Sequence, residues 1–224
     1  MYVYGDIHGD WDWMRKVHLH QKNDPYAIQI GDFGIGFPPE CTLDEKNLNE
    51  NGKTFPPPFP ETLAFIAGNH DDPDLCRIHP NCLGDYGYLE DGDIFYIRGA
   101  HSIDKQYRTI SIDWWENEEL AWEQFQQMVE LFAAKKPRYV VSHTCPSKIF
   151  ETLMIRSALL RCVPTKLDRT SEALQLALER HAPEKWFFGH FHVSSHCDVG
   201  KTRFYVIGIK QRIHVPGVSF RRTK

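Results

Sequence analysis

A layered α/β domain with a mixed sheet is the fold class this chain predicts, on three observations. Short apolar runs near the start alternate with a helical pattern. From about residue 193 the pattern turns to alternating β segments. Five of the apolar runs stop at a glycine or serine followed at once by Asp, Asn or His. Strand–helix alternation followed by hairpins suits helices packed on a sheet. The 224 residues suit one compact domain spanning 1–224.

The elements follow in order. Tyr2 to Gly5 reads as a buried strand stopped by Gly-Asp, and Trp11 to Gln21 has helical spacing with Asp10 as its cap. Ala27 to Ile30 is a second strand, again stopped by Gly-Asp. Residues 35 to 61 are rich in Pro, Asn, Glu and Gly, with the run Pro56-Pro57-Pro58, and predict a surface excursion with little core. Leu63 to Ala67 is a third strand ending at Gly68-Asn69. Residues 94 to 98 and 108 to 114 predict strands joined by a loop. Glu118 to Lys135 predicts an amphipathic helix, with Leu120, Phe125, Met128, Val129 and Phe132 near one face. Tyr139 to Val141 is a strand leading into Ser142-His143. Ser171 to His181 predicts a helix capped by Thr170 or Ser171. Trp186 to Phe188 runs into Gly189-His190, and β segments follow at about 193–199, 202–209 and 211–219.

Composition excludes several classes. At 42% hydrophobic and 25% charged, the chain can close a sizeable core. A net charge of -4 does not favour a nucleic-acid partner. The basic cluster Arg221, Arg222 and Lys224 reads as a solvated tail. No apolar run reaches the roughly 18 residues of a membrane span, so no membrane partner is expected. The first strand starts at the first residues, so no signal peptide is expected and a cytoplasmic location is. The six cysteines lack a CxxC pair and are expected to be free thiols. The oligomeric state stays open.

The polar motifs carry the chemistry. They are Gly5-Asp6-Ile7-His8-Gly9, Gly31-Asp32-Phe33-Gly34, Gly68-Asn69-His70-Asp71, Ser142-His143 and Gly189-His190-Phe191-His192. The carboxyl ends of strands in an open α/β sheet converge on one edge, where ligands bind. One site could therefore collect Asp6, His8, Asp32, Asn69, His143, His190 and His192. Carboxylate and amide oxygens with imidazole nitrogens suit divalent manganese, iron or zinc. Cysteine is missing from the set, which argues against a structural zinc site. Seven side chains are too many for one ion with an open position. Two ions about 3.5–4 Å apart would use them, clamping a phosphoryl oxygen and acidifying a bridging water.

In this order the motifs resemble the calcineurin-like metallophosphoesterase superfamily, over about residues 3 to 208. The resemblance implies a sandwich of two mixed β-sheets flanked by helices. It implies two divalent ions, manganese first, with iron, zinc, nickel or cobalt as alternatives. Asp6, His8, Asp32 and His192 resemble the ligands of the first metal. Asp32, Asn69, His143 and His190 resemble those of the second, with Asp32 bridging. His70 resembles the residue that contacts substrate and protonates the leaving group. The implied reaction is in-line attack of a metal-bridging hydroxide on phosphorus.

One departure narrows the substrate. The protein Ser/Thr phosphatase branch carries Gly-Asp-x-x-Asp-Arg-Gly at the second motif, where its second Asp orients the catalytic His and its Arg binds phosphate. This chain has Gly31-Asp32-Phe33-Gly34-Ile35-Gly36, with neither. Phosphodiesters or small phosphoesters are therefore favoured, with a phosphoprotein phosphatase as the alternative. A non-catalytic scaffold is a third reading, opposed by a competent residue at every ligand position. The partner of His70 is left open between Asp71 and Asp104. Asp71 is equally suited to stabilising a turn. Arg98 and Arg108, in the polar loop with Ser102, Asp104 and Lys105, are candidate phosphate binders. Cys145, two residues from His143, reads as a small buried residue more than an oxidation sensor.

Overall fold

The computed structural model describes residues 1–21, 24–38, 47–156 and 168–221. Its strands form two mixed sheets flanked by helices. The smaller sheet contains β1 (Tyr2–Tyr4), β2 (Ala27–Ile30), β3 (Leu63–Ile66) and β10 (Arg212–His214), in the order β10-β1-β2-β3. The larger contains β4 (Tyr86–Leu89), β5 (Ile94–Ile97), β6 (Tyr139–Ser142), β7 (Lys185–Phe188), β8 (Ser195–Val199) and β9 (Thr202–Val206), in the order β4-β5-β6-β7-β9-β8. Strands β1, β2 and β3 are parallel, as are β5, β6, β7 and β9, while β10, β4 and β8 pair antiparallel.

Strands β1, β2, β3, β6 and β7 read as near-continuous apolar runs because both of their faces are buried. Side chains alternate between faces, and each face has its own core. Val3, Ile28, Ile30, Ala64 and Ile66 meet Ile94, Val141 and Phe187 between the sheets. Tyr4, Ala27, Leu63 and Phe65 point outward under helix α1 (Trp11–Leu19), onto Trp11 and Met14. Phe95, Val140, Trp186 and Phe188 point outward from the larger sheet. They pack on Phe125, Met128 and Phe132 of helix α3 (Trp122–Lys135), Leu153 of α4 (Ser147–Arg156), and Leu174 and Ala177 of α5 (Arg169–Arg180). Asp10 caps α1 by accepting from Trp13 N–H at 3.1 Å, as expected.

Several elements differ from expectation. Residues 108 to 114 form turns, not a strand. Ile110 and Ile112 imitate strand alternation but are each 50% exposed, and among the described residues only an isolated bridge from Ile110 to Trp114 forms there. The third helix starts at Trp122, because Glu118 is held by another loop and Gln124 folds back to accept from Ala121 N–H at 3.1 Å. Asp168, not Thr170 or Ser171, caps α5. The short helix α2 (Pro73–Ile78), with Asp72 as cap and Pro73 in its first turn, had no apolar period to announce it.

The 35–61 segment is also more than a surface excursion. Ile35 and Phe59 join the core beside Phe33, and buried Thr54 donates its hydroxyl to the carbonyls of Gly34 (2.8 Å) and Phe37 (3.0 Å). Its Pro-rich composition hides these anchors. Residues 39–46 of that stretch, Cys41, Cys162, Arg222 and Lys224 lie outside the described residues. Among the described residues, Cys76, Cys82, Cys145 and Cys197 form no disulfide. Burial pushes the Cys145 thiol well up, which makes it a poor oxidation sensor. Among the described residues no helix is long and apolar enough to cross a membrane.

Candidate metal centre

The parallel strands of both sheets deliver their carboxyl ends to one edge, and the polar motifs begin there. The backbone is strained at this edge. His8, Asp32, His190 and His192 have φ of 44°, 53°, 67° and 56°, the left-handed region that side chains other than Gly rarely adopt. Such conformations persist where the surroundings over-determine them, often at functional sites. Gly68 is required by space: a Cβ there would collide with Asp32 Oδ1 and His143 Nε2. At Gly189 it would collide with Asp6 Oδ1.

Two groups of donors result. In the first, one donor atom each from Asp6, His8, Asp32 and His192 lie within 4.8 Å of one another. His192 Nε2 is 3.0 Å from His8 Nε2 and 3.3 Å from Asp6 Oδ2. In the second, Asn69 Oδ1 is 3.0 Å from His143 Nε2 and 2.9 Å from His190 Nδ1. Asp32 stands between them. Its Oδ1 is 3.2 Å from His143 Nε2, and its Oδ2 is 3.8 Å from His8 Nε2.

The donor set fits divalent cations. His143 donates its Nδ1–H to the Ile30 carbonyl at 2.9 Å, which turns Nε2 toward Asp32 and Asn69. Burial alone would lower the His143 pKa, but the Asp32 charge and hydrogen bond raise it to about 9. The group therefore already holds one positive charge, a proton, among the atoms a metal ion would use. Burial would raise the Asp32 carboxyl, and His143 with the neighbouring imidazoles brings it well below the usual carboxylate range. Burial, then the charge of His143, pushes His190 well down, so its imidazole is neutral and free to ligate.

His70 sits beside this pair of groups under an aromatic and cationic cover. Phe37 stacks on its ring with centroids 5.5 Å apart and planes 12° apart. Arg108 Nη2 lies 2.6 Å from His70 Nε2 and 2.7 Å from Asp104 Oδ2, while Arg108 Nε donates to Asp104 Oδ1 at 2.8 Å. Burial, then the charges of Arg108 and His8, lowers the His70 pKa to about 4 against the pull of Asp32. The Asp104 carboxyl, which burial would raise, is held below its usual value by Arg108. A cavity of about 270 Å³ opens over Asp32, Asn69, His70, Asp104, His190 and His192, with Ile103 and Phe191 as its apolar wall.

Two expectations need correction. The Asp71 carboxylate accepts from the N–H groups of Phe33 (2.9 Å), Gly34 (2.6 Å), Ile35 (3.0 Å) and Gly68 (2.8 Å). It ties the second motif to the third and stabilises the turn, instead of partnering the His70 ring. Arg98 is fully buried and gives its guanidinium to Asp85 and to the carbonyls of Asn117 (2.9 Å) and Glu118 (3.2 Å). It does not line the cavity over the metal centre, where a phosphate would sit. Arg108 is the one of the two that reaches the cavity's residues. Phe37 and Glu118 carried no signal in the sequence, because their partners lie in loops far away along the chain.

The model of the family described as calcineurin-like phosphoesterase matches residues 1–194. Among solved structures, the crystal structure of phosphopantetheinyl hydrolase from Mycobacterium tuberculosis is similar at 13% identity and a TM-score of 0.41, covering 93% of this chain and 89% of that one. A search of curated proteins returns no match.

Proposed function

The chain belongs to the calcineurin-like phosphoesterases, and from that premise we propose that it is a dinuclear metal-dependent phosphodiesterase, with manganese as the first candidate metal. The observation that carries the proposal is the Asp32 carboxylate, with one oxygen toward His143 at 3.2 Å and the other toward His8 at 3.8 Å. Asp6, His8 and His192 would complete one ion's donors, and Asn69, His143 and His190 the other's. When bound, the two ions supply positive charge to the phosphoryl oxygens and acidify the attacking water. The protein's own groups do the rest. Asp32 would offset charge on both sides of the site, and His143 would hold the second ion through an Nε2 that carries no proton. Ile103 and Phe191 border the substrate's organic part, and His70 faces the phosphoryl group.

The diester preference rests on charge. Arg108 is the cation nearest His70, but Asp104 holds it with two charge-assisted bonds and itself lines the cavity. A paired Arg offers little net charge to a monoester dianion. A diester monoanion needs less. The second reading, a phosphoserine or phosphothreonine phosphatase, is favoured by the same Arg108 if phosphate displaces Asp104 and takes the guanidinium bidentate. A non-catalytic scaffold is opposed by competent donors at every motif position.

The test compares kcat/KM for bis-(nitrophenyl) phosphate, nitrophenyl phosphate and a phosphoserine peptide under Mn²⁺. The diester is expected to lead, and a clear preference for the peptide would make the chain a phosphoprotein phosphatase. Asp104→Asn then checks the cause. Freed of its counter-charge, Arg108 should favour the dianion, shifting the monoester-to-diester ratio upward on the order of tenfold. An unchanged ratio would remove the Asp104–Arg108 pair from substrate choice.

A further inference from the structure

Behind the metal centre a buried polar chain runs outward from Asn69. Asn69 donates its Nδ2–H to Ser102 Oγ at 3.0 Å. Ser102 donates its hydroxyl to Glu118 Oε2 at 2.6 Å and its N–H to Glu118 Oε1 at 2.9 Å. Asn69 and Glu118 are each 2% exposed and Ser102 is 0% exposed, so water does not compete for these bonds. The chain comes from three separate segments: the turn after β3, the loop after β5, and the residues ahead of α3.

With Glu118 ionised, the chain's polarity has one consistent assignment. An ionised carboxylate only accepts. The single Ser102 hydroxyl proton is therefore committed to Glu118, and Ser102 Oγ is left to accept from Asn69. That turns the amide nitrogen of Asn69 toward Ser102 and its oxygen toward His143 and His190. An amide turned the other way would present N–H groups to a cation. Glu118 is held in turn by Arg98, which grips the carbonyls of Asn117 and Glu118 while anchored on Asp85.

We infer that Glu118, acting through Ser102, is a positioning residue that fixes the Asn69 side chain with its oxygen facing the second metal position. The inference rests on the two-metal reading above. It also gives buried Arg98 a purpose: it holds the segment that carries Glu118.

Glu118→Gln keeps the shape and adds a donor. The new amide N–H can donate to Ser102 Oγ, which frees the hydroxyl proton to turn toward Asn69 and invites the amide to flip. Ser102→Ala removes the acceptor outright with the loss of one oxygen. The experiment is calorimetric titration of chelator-stripped full-length protein with Mn²⁺, beside a thermal melt of each variant. Wild type should take two ions. In both variants one ion's Kd should rise roughly 10–100-fold, while the other ion's Kd stays within about twofold. If Glu118→Gln does not fold, Ser102→Ala carries the comparison alone. Two ions bound with wild-type affinities in folded variants would overturn the inference and leave the two-metal reading intact. So would equal weakening of both ions, which marks a general structural loss. Fewer than two ions in wild type would overturn the two-metal reading itself, and the inference with it.

Discussion

Asp32→Asn is expected to strip the protein of both ions and to lower turnover further than any variant that loses a donor to one ion alone. The reason is charge as much as contact. Asp32 is 1% exposed and directs one oxygen to each donor group. Its charge is what lifts His143 to about 9 against burial, so it is the main counter-charge for a cation on that side. An Asn in its place keeps one oxygen but no charge, and its N–H₂ would face one of the two groups. The substitution is a clean test because the fold should survive it. Asp32 adopts φ 53°, a region where Asn is among the best tolerated residues. Its backbone carbonyl, which accepts from Ile7 and His8 N–H at 3.2 and 2.9 Å, is untouched.

The comparison variants are His8→Ala and His143→Ala. Each removes a donor from one group, and each should leave one ion measurable. Loss of an outer partner of a metal ligand typically costs about 10–100-fold, and Asp32→Asn should exceed that range in kcat/KM with no ion retained. Metal content by elemental analysis and turnover under excess Mn²⁺ are the measurements. Two retained ions with near-normal turnover would remove Asp32 from the bridging position.

The donor residues were legible in the sequence because each sits where a short apolar strand must stop. Glycine before Asp6, Asp32, Asn69 and His190 marked the turn, and the apolar run before it marked the strand. The strand pattern predicts one mixed sheet, and the two-sheet sandwich comes from the family resemblance; in the structure Val3, Ile28 and Ala64 fill the core between the sheets while Tyr4, Ala27 and Phe65 fill the one under α1. What surrounds the donors was less legible. Arg108 and Arg98 look alike as residues in one polar loop. Only the fold sends Arg98 inward to Asp85 and Arg108 across to His70. The Asp71 carboxylate could serve a ring or a turn until four backbone N–H groups claimed it. Phe37 lay in a segment whose prolines suggested surface, yet its ring covers His70. Long-range pairing of loop residues leaves no period and no fixed spacing, so pattern alone could not supply it.

His70→Ala should keep both ions and lose roughly 10²–10⁴-fold in rate on substrates with poor leaving groups, the range for general acid catalysis. His70 is not among the donors of either group, and its backbone N–H, which donates to Asp32 Oδ1 at 2.9 Å, survives the substitution. The geometry adds a condition. Arg108 donates into Nε2 at 2.6 Å, so in this state the ring is an acceptor whose remaining proton lies on Nδ1. To protonate a leaving alkoxide through Nε2, His70 must release Arg108 and first take up a proton at Nε2, either from water or by giving up the Nδ1 proton in exchange, and the phosphate that draws Arg108 away would open that position. A leaving group that needs no proton bypasses the step. The loss on bis-(nitrophenyl) phosphate should therefore be much smaller than on an alkyl diester. Equal losses on both would mean that His70 acts by holding Arg108 and the phosphoryl group in place, not by moving a proton. Loss of the metals from His70→Ala would instead make it part of the donor set.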